Sequence, residues 1–192
     1  MTPMRTERLI LRNWEERDRA LFHRINSDEL VMEFFPFRRT RAESDAFMDR
    51  LAGRIAEVGY GFAAAEIVET GETIGFIGVL DNTPVPGAAK ADLEIGWRLA
   101  PEYWGMGYVT EVAGKWLEFA FNDLDRSHVW SFAVAVNRRS TAVMDRLGME
   151  RVPERDFDHP KVPDTHPHLQ HHVVYRLMRE NWRGPNASKS RT

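Results

Sequence analysis

Three groups of residues in this chain have types and spacings that could do chemistry. The first is Gly105-Met106-Gly107, flanked by Trp104 and Tyr108. It stands where a strand-like alternation gives way to a helical period. Two glycines around one residue let successive backbone N–H groups turn into one concavity. A helix that begins at once leaves its own first amides unpaired and adds the positive end of its dipole, so the junction suits a phosphate or diphosphate. The alternative is an ordinary glycine turn between a strand and a helix. The second group lies on the strand before it, where Asp92, Glu94, Gly96 and Arg98 alternate with Leu93, Ile95, Trp97 and Leu99. The third is the run His159, His166, His168, His171 and His172. His-x-His and His-His spacings occur in metal sites. Here, however, the first three lie among Pro160, Pro163 and Pro167, no cysteine accompanies them, and no predicted helix carries two histidines one turn apart. The first three read as part of an exposed loop, and no metal is expected. His128, alone in an apolar run, reads as an interior histidine.

Absences narrow the phosphate ligand. No Lys-Ser/Thr follows the glycines, which removes a nucleotide-triphosphate loop. Thr110 stands where a dinucleotide fingerprint needs its third glycine, and the unit lies mid-chain.

The elements that must position these residues follow from periodicity. Leu9 to Trp14 predicts a strand and Glu15 to Ser27 a helix. Thr40-Arg41-Ala42-Glu43 is a capping box, and behind it Phe47, Leu51, Ile55 and Val58 form an apolar stripe that Gly59 and Gly61 end. Phe62 to Val68 and Thr73 to Leu80 predict a hairpin. Asp81 to Lys90, with Pro84, Pro86 and Gly87, predicts a mobile loop. Val109, Val112, Ala113, Trp116, Leu117 and Ala120 give the most regular helical face. Ser127 to Val136 predicts a buried strand, Ser140 to Leu147 a short helix stopped by Gly148, Met149 to Val152 a strand, and His171 to Leu177 the last strand. The result is one mixed α/β domain over 6–182, with 183–192 as a disordered tail.

Composition closes off other classes. At 192 residues and 43% hydrophobic, the chain can bury a core as a single domain. Lys and Arg number 26 against 29 Asp and Glu, so nothing in the charge recommends a nucleic-acid partner. No apolar run approaches the ~18 residues of a membrane span, and Met1 to Arg12 lacks the apolar core of a secretory signal. With no cysteine, thiolate metal sites and a cysteine nucleophile are excluded, and a cytoplasmic setting is expected.

The stretch EIGWRLAPEYWGMGYVTEVAGKWLEFAF and the later VNRRSTAVMDRLGM resemble the GNAT superfamily of acyl-CoA-dependent N-acyltransferases. Together with the opening TERLILRNW, they look most like its ribosomal-protein-alanine acetyltransferase branch, over Thr6 to about Trp182. One departure is Glu102, at the first position of the superfamily's Gln/Arg-x-x-Gly-x-Gly/Ala loop. The resemblance implies a mixed, mostly antiparallel central sheet with helices on both faces. It also implies acetyl-CoA as co-substrate, held between two splayed strands, the first of them Ala91 to Leu99. The pantetheine arm would pair with the backbone of Trp97, Arg98 and Leu99 much as an added strand would. Trp104, Gly105, Met106, Gly107 and Tyr108 would hold the diphosphate, and Arg138 and Arg139 could meet the 3′-phosphate.

Amine acylation needs a base, because a primary amine must lose a proton before attacking. Glu94 matches a glutamate of the resembling branch; its other reading is a surface carboxylate paired with Arg98, and Asp92 is the second candidate. The leaving thiolate needs a proton donor. The tyrosine many members use is missing, and Ser140 stands in its place in this branch, with Asn137 holding the pantetheine arm. Asn137 and Ser140 also suit plain turn and helix-cap roles. The function expected is acetyl transfer to a primary amine, on a protein N-terminus or a small molecule, by direct attack in a ternary complex. The histidine loop would face that acceptor, and the chain would act as a monomer or homodimer with no nucleic-acid or membrane partner. A non-catalytic acyl-CoA-binding domain and a metal-dependent hydrolase built on the histidines are the alternatives.

Overall fold

The computed structural model describes residues 2–184. The predicted tail therefore lies, from Pro185 onward, outside the described residues. Four α-helices and nine strands, mostly antiparallel, make a mixed α/β fold among the described residues. The chain divides into two compact units: Met1–Val79 with Gly96–Val112, and Leu80–Ile95 with Ala113–Thr192.

In the first unit, β1 (Met4–Arg5), β2 (Leu9–Arg12), β3 (Phe62–Ile67) and β4 (Thr73–Leu80) form an antiparallel ladder. The end of β5 (Leu93–Leu99) follows, with Ala100 N donating to Ile74 O at 2.9 Å. Helix α2 (Arg41–Val58) begins at the predicted box: Thr40 Oγ1 accepts from Glu43 N, the Glu43 carboxylate accepts from Thr40 N, and Gly59 caps the end. The predicted first helix is shorter than its pattern. Glu16–Asp18 is a 3-10 turn, and α1 spans Arg19–Ser27. Asp18 explains the tight turn, since its carboxylate accepts from Glu15 N and from Arg12 Nη1 and Nη2. Burial opposes the charge on Asp18, but bonds from Arg12, Thr73 and the Glu15 amide override it and hold the carboxyl below its usual range. Leu9, Leu11, Phe22, Ile25, Leu51 and Ile55 are buried in this unit, and Trp14 packs edge-on to Phe22 at 4.7 Å.

The second unit holds the start of β5 beside β6 (His128–Val134), parallel, with Leu93 opposite Val129 and Glu94 opposite Trp130. Strand β9 (His171–Met178) pairs antiparallel with β6, and the short β7 (Glu150–Arg151) and β8 (Phe157–Asp158) pair with β9. Helix α3 (Tyr108–Asn122) starts in the first unit and continues in the second, where Ala113, Trp116, Leu117 and Ala120 are buried as its stripe predicts. Val109 stays half-buried, like the rest of the first turn. Helix α4 spans Arg138–Arg146. The loop expected to be mobile, 81–90, is instead anchored. Asn82 N donates to Lys90 O, Arg155 donates to Pro86 O, and Val85 is buried with Trp130, Val152 and Val174.

Candidate functional site

The glycine loop has the backbone its sequence calls for. Gly105 has φ +75° and Gly107 φ +79°, a region that costs any residue with a Cβ. A Cβ at Gly105 would meet nothing within 4 Å, so the demand there is conformational, not steric. The first i→i−4 bond of α3 runs from Glu111 N to Gly107 O at 3.1 Å. The amides of Gly107, Tyr108, Val109 and Thr110 therefore have no acceptor within the helix. That is the donor set a diphosphate needs, in an exposed loop with Met106 at its tip. Trp104 braces the approach, donating Nε1 to Leu99 O at 2.9 Å. Glu102, the departure from the usual loop, pairs with Arg24 of α1 at 2.6 Å; both are well exposed, so the pair stabilises little.

Arg98 does not pair with Glu94. Its Nη1 donates to Asn26 Oδ1, and its guanidinium lies over Phe35 at 4.4 Å and Phe76 at 5.3 Å. Burial first, and Arg39 second, push its pKa down to about 9. Trp97 is half-buried and Leu99 buried.

Glu94 is an electrostatic outlier of the second unit. Its Oε2 is buried without a partner in hydrogen-bonding geometry. Burial pushes its carboxyl up to about 7, offset in part by the nearby Thr83 hydroxyl and the charge of Lys161. Thr83 approaches without completing a bond, since its Oγ1 is itself unpartnered. Asp92, the second candidate, is engaged through Oδ2. It accepts from Ala89 N at 2.9 Å and Trp130 Nε1 at 3.2 Å, and His128 Nε2 lies 3.2 Å away. Burial opposes its charge, but these bonds hold its carboxyl below the usual range. Beside Glu94, the carbonyl of Ile95 accepts from Ser131 Oγ at 3.0 Å, so a side chain takes the place of a ladder bond there.

Asn137 caps α4, its side chain accepting from Ser140 N at 3.1 Å. Arg138 and Arg139 are exposed on that first turn. The histidines divide. His172 is buried and His159 half-buried, 5.0 Å apart between Phe132 and Phe157. Burial, with His172 and Lys161 adding, pushes His159 down to about 4; burial also lowers His172. Both are neutral at pH 7. His168 and His171 are exposed and His166 is half-buried. Among the described residues, no group of three or more His, Cys, Asp or Glu is arranged to hold a metal, and no helix is long and apolar enough to cross a membrane.

Sequence reasoning missed three contributors. Thr83 and Lys161 reach Glu94 from loops, where no periodic signal marks them. Arg8, in the opening Thr-Glu-Arg-Leu, binds Glu111 and the Met106 carbonyl; only its place in that motif hinted at a role.

Comparison with known proteins fits this geometry. The model of the acetyltransferase (GNAT) domain matches residues 8–150. The chain is 28% identical over 200 residues to the FsC-acetyl coenzyme A-N(2)-transacetylase of Aspergillus fumigatus, covering 98% of this chain and 82% of that protein. It is 32% identical over 94 residues to the putative ribosomal N-acetyltransferase YdaF of Bacillus subtilis, 47% of this chain and 48% of that one. Among solved structures, the acetyltransferase of Agrobacterium tumefaciens str. C58 is 26% identical with a TM-score of 0.71, covering 92% of this chain and 94% of its own.

Proposed function

The chain belongs to the GNAT acetyltransferase family, whose members use acetyl-CoA, and on that premise we propose that it transfers the acetyl group to a primary amine by direct attack in a ternary complex. The observation that carries this reading is Glu94, a buried carboxyl with an unpartnered oxygen and a pKa of about 7. A base poised near neutrality is what an ammonium acceptor requires.

In this reading the amides from Gly107 to Thr110 hold the diphosphate, with Trp104, Gly105, Met106 and Tyr108 shaping the loop. The backbone of Trp97, Arg98 and Leu99 pairs with the pantetheine arm, and a main-chain amide there polarises the thioester carbonyl. Glu94 takes a proton from the acceptor ammonium. The freed amine forms a C–N bond at the thioester carbon, and the tetrahedral intermediate collapses as the C–S bond breaks. Ser140 gives a proton to the departing thiolate and regains one as the attacking nitrogen sheds its second proton, and Asn137 orients the pantetheine arm. No acyl-enzyme forms. The catalytic domain spans 6–182 and works in the cytoplasm. The acceptor is a protein N-terminus or a small-molecule amine, approached past the neutral His159 and His172.

A thiol-release assay across an amine panel that includes N-terminal peptides tests the reading. Turnover that rises with pH through about 7 supports it. Tight coenzyme A binding with no turnover on any amine would mark the chain as a binding domain instead.

A further inference from the structure

The first turn of α3 carries an electrostatic contradiction. Its unpaired amides suit an anion, yet Glu111 places a carboxylate one turn in, roughly 5 Å along the axis, where it would repel a diphosphate. Arg8, from the bend between β1 and β2, lies across this carboxylate. Its Nε donates to Glu111 Oε2 at 2.7 Å and its backbone N to Glu111 Oε1 at 3.0 Å. Its Nη1 donates to Met106 O at 2.9 Å, and its guanidinium sits 4.5 Å from the Tyr108 ring centre. One side chain thus holds a carboxylate, a loop carbonyl and an aromatic face that flank Gly107. Such a planar fork is something lysine cannot supply.

The Met106 contact sets a direction. No peptide here is cis, so the C=O of Met106 and the N–H of Gly107 point in opposite directions within one plane. Fixing the carbonyl on Arg8 turns that N–H the other way, with the amides that start α3. Nη2 lies 3.5 Å from where a Cβ on Gly107 would stand, so the guanidinium closes one wall of the glycine turn.

The geometry points to Arg8 as the positioning residue of the coenzyme A loop: it neutralises Glu111 and orients the Met106–Gly107 peptide so that the start of α3 accepts a diphosphate. This rests on reading Trp104 to Tyr108 as the coenzyme A site. Arg8 acts through the loop and through Glu111, not on the reacting atoms.

Calorimetric titration with coenzyme A tests it without knowledge of the acceptor. Arg8→Ala should weaken binding by about ten- to a hundredfold, the range of a lost charge-assisted hydrogen bond. Arg8→Lys, which keeps the charge and loses the fork, should fall between. The decisive variant is Arg8→Ala/Glu111→Gln, which removes the exposed carboxylate and should regain at least about threefold over Arg8→Ala. A brace with no electrostatic part would show no such recovery. Wild-type affinity in Arg8→Ala, or no recovery in the double variant, overturns the inference while leaving the coenzyme A site intact. If the wild-type protein fails to bind coenzyme A at all, the site itself is wrong and Arg8 falls with it.

Discussion

The start of α3 and the surroundings of Glu94 solve opposite problems. In the proposed reading, function at the start of α3 rests on the main chain: two glycines at positive φ, four amides outside the helix ladder, and charged side chains that cancel each other. Around Glu94 it rests on one side chain left unsatisfied, with an oxygen buried and unbonded. Asp92, two residues earlier and just before the strand, has its Oδ2 bonded by Ala89 N and Trp130 Nε1 and stays acidic. Anion binding needs donors that are many and fixed. Proton transfer needs a group whose two protonation states are close in free energy.

Glu94→Gln breaks the comparison most sharply. The general-base role predicts a fall in kcat of about a hundredfold or more, with little change in the KM for acetyl-CoA. The wild-type rate should climb with pH and level off above about 7, and the variant should lose that step. Asp92→Asn is the control, and its pH profile should keep the step. An unchanged kcat in Glu94→Gln would return this carboxylate to a structural role.

Gly107→Val attacks the other region and should act on binding. A β-branched residue at φ +79° is strained wherever it is placed. Coenzyme A affinity should drop by about tenfold or more, because the backbone must leave this conformation to relieve strain of about 1–2 kcal/mol. Gly105→Ala, where a Cβ meets nothing, should cost less and for the conformational reason alone. Equal affinity in Gly107→Val would mean that the turn does not grip the cofactor.

These two regions also differ in how far the sequence revealed them. The glycine loop, the Thr40 capping box and the α3 stripe are local patterns, and each appears in the structure where its residues stand. Glu94 could be placed on a strand face by alternation. Its raised pKa could not be read, because it comes from burial by tertiary packing, and the groups that partly offset it, Thr83 and Lys161, lie on loops, the second more than sixty residues away. The histidines misled for the same reason. Proline spacing suggested an exposed loop for His159, His166 and His168, but His159 is half-buried against Phe132, Phe157 and His172 of β9. The anchoring of 81–90 likewise depends on Val85 meeting Trp130, Val152 and Val174, a contact that Pro84, Pro86 and Gly87 do not announce. Local chemistry is legible from the chain; desolvation is a property of what folds over it.

The smallest expected effect sharpens the comparison by thermodynamics. A carboxyl raised from 4.5 to about 7 on folding is protonated in both states at low pH and imposes no penalty there. As pH rises above 4.5, the unfolded chain releases this proton while the folded chain retains it, and stability falls until about pH 7. Above that the penalty is constant, on the order of 1–3 kcal/mol. Glutamine has nearly the same shape and never ionises. Glu94→Gln should therefore match the wild type in urea unfolding near pH 4.5 and exceed it at pH 8, the gap opening between those values. Asp92→Asn should do the reverse, because the bonds to Asp92 favour its charged form; its loss of stability should be greatest at pH 8 and fade in acid. A gap for Glu94→Gln that ignores pH would show the carboxylate to be solvated, and with it would go the contrast between a strand residue left unsatisfied for chemistry and its neighbour bonded for structure.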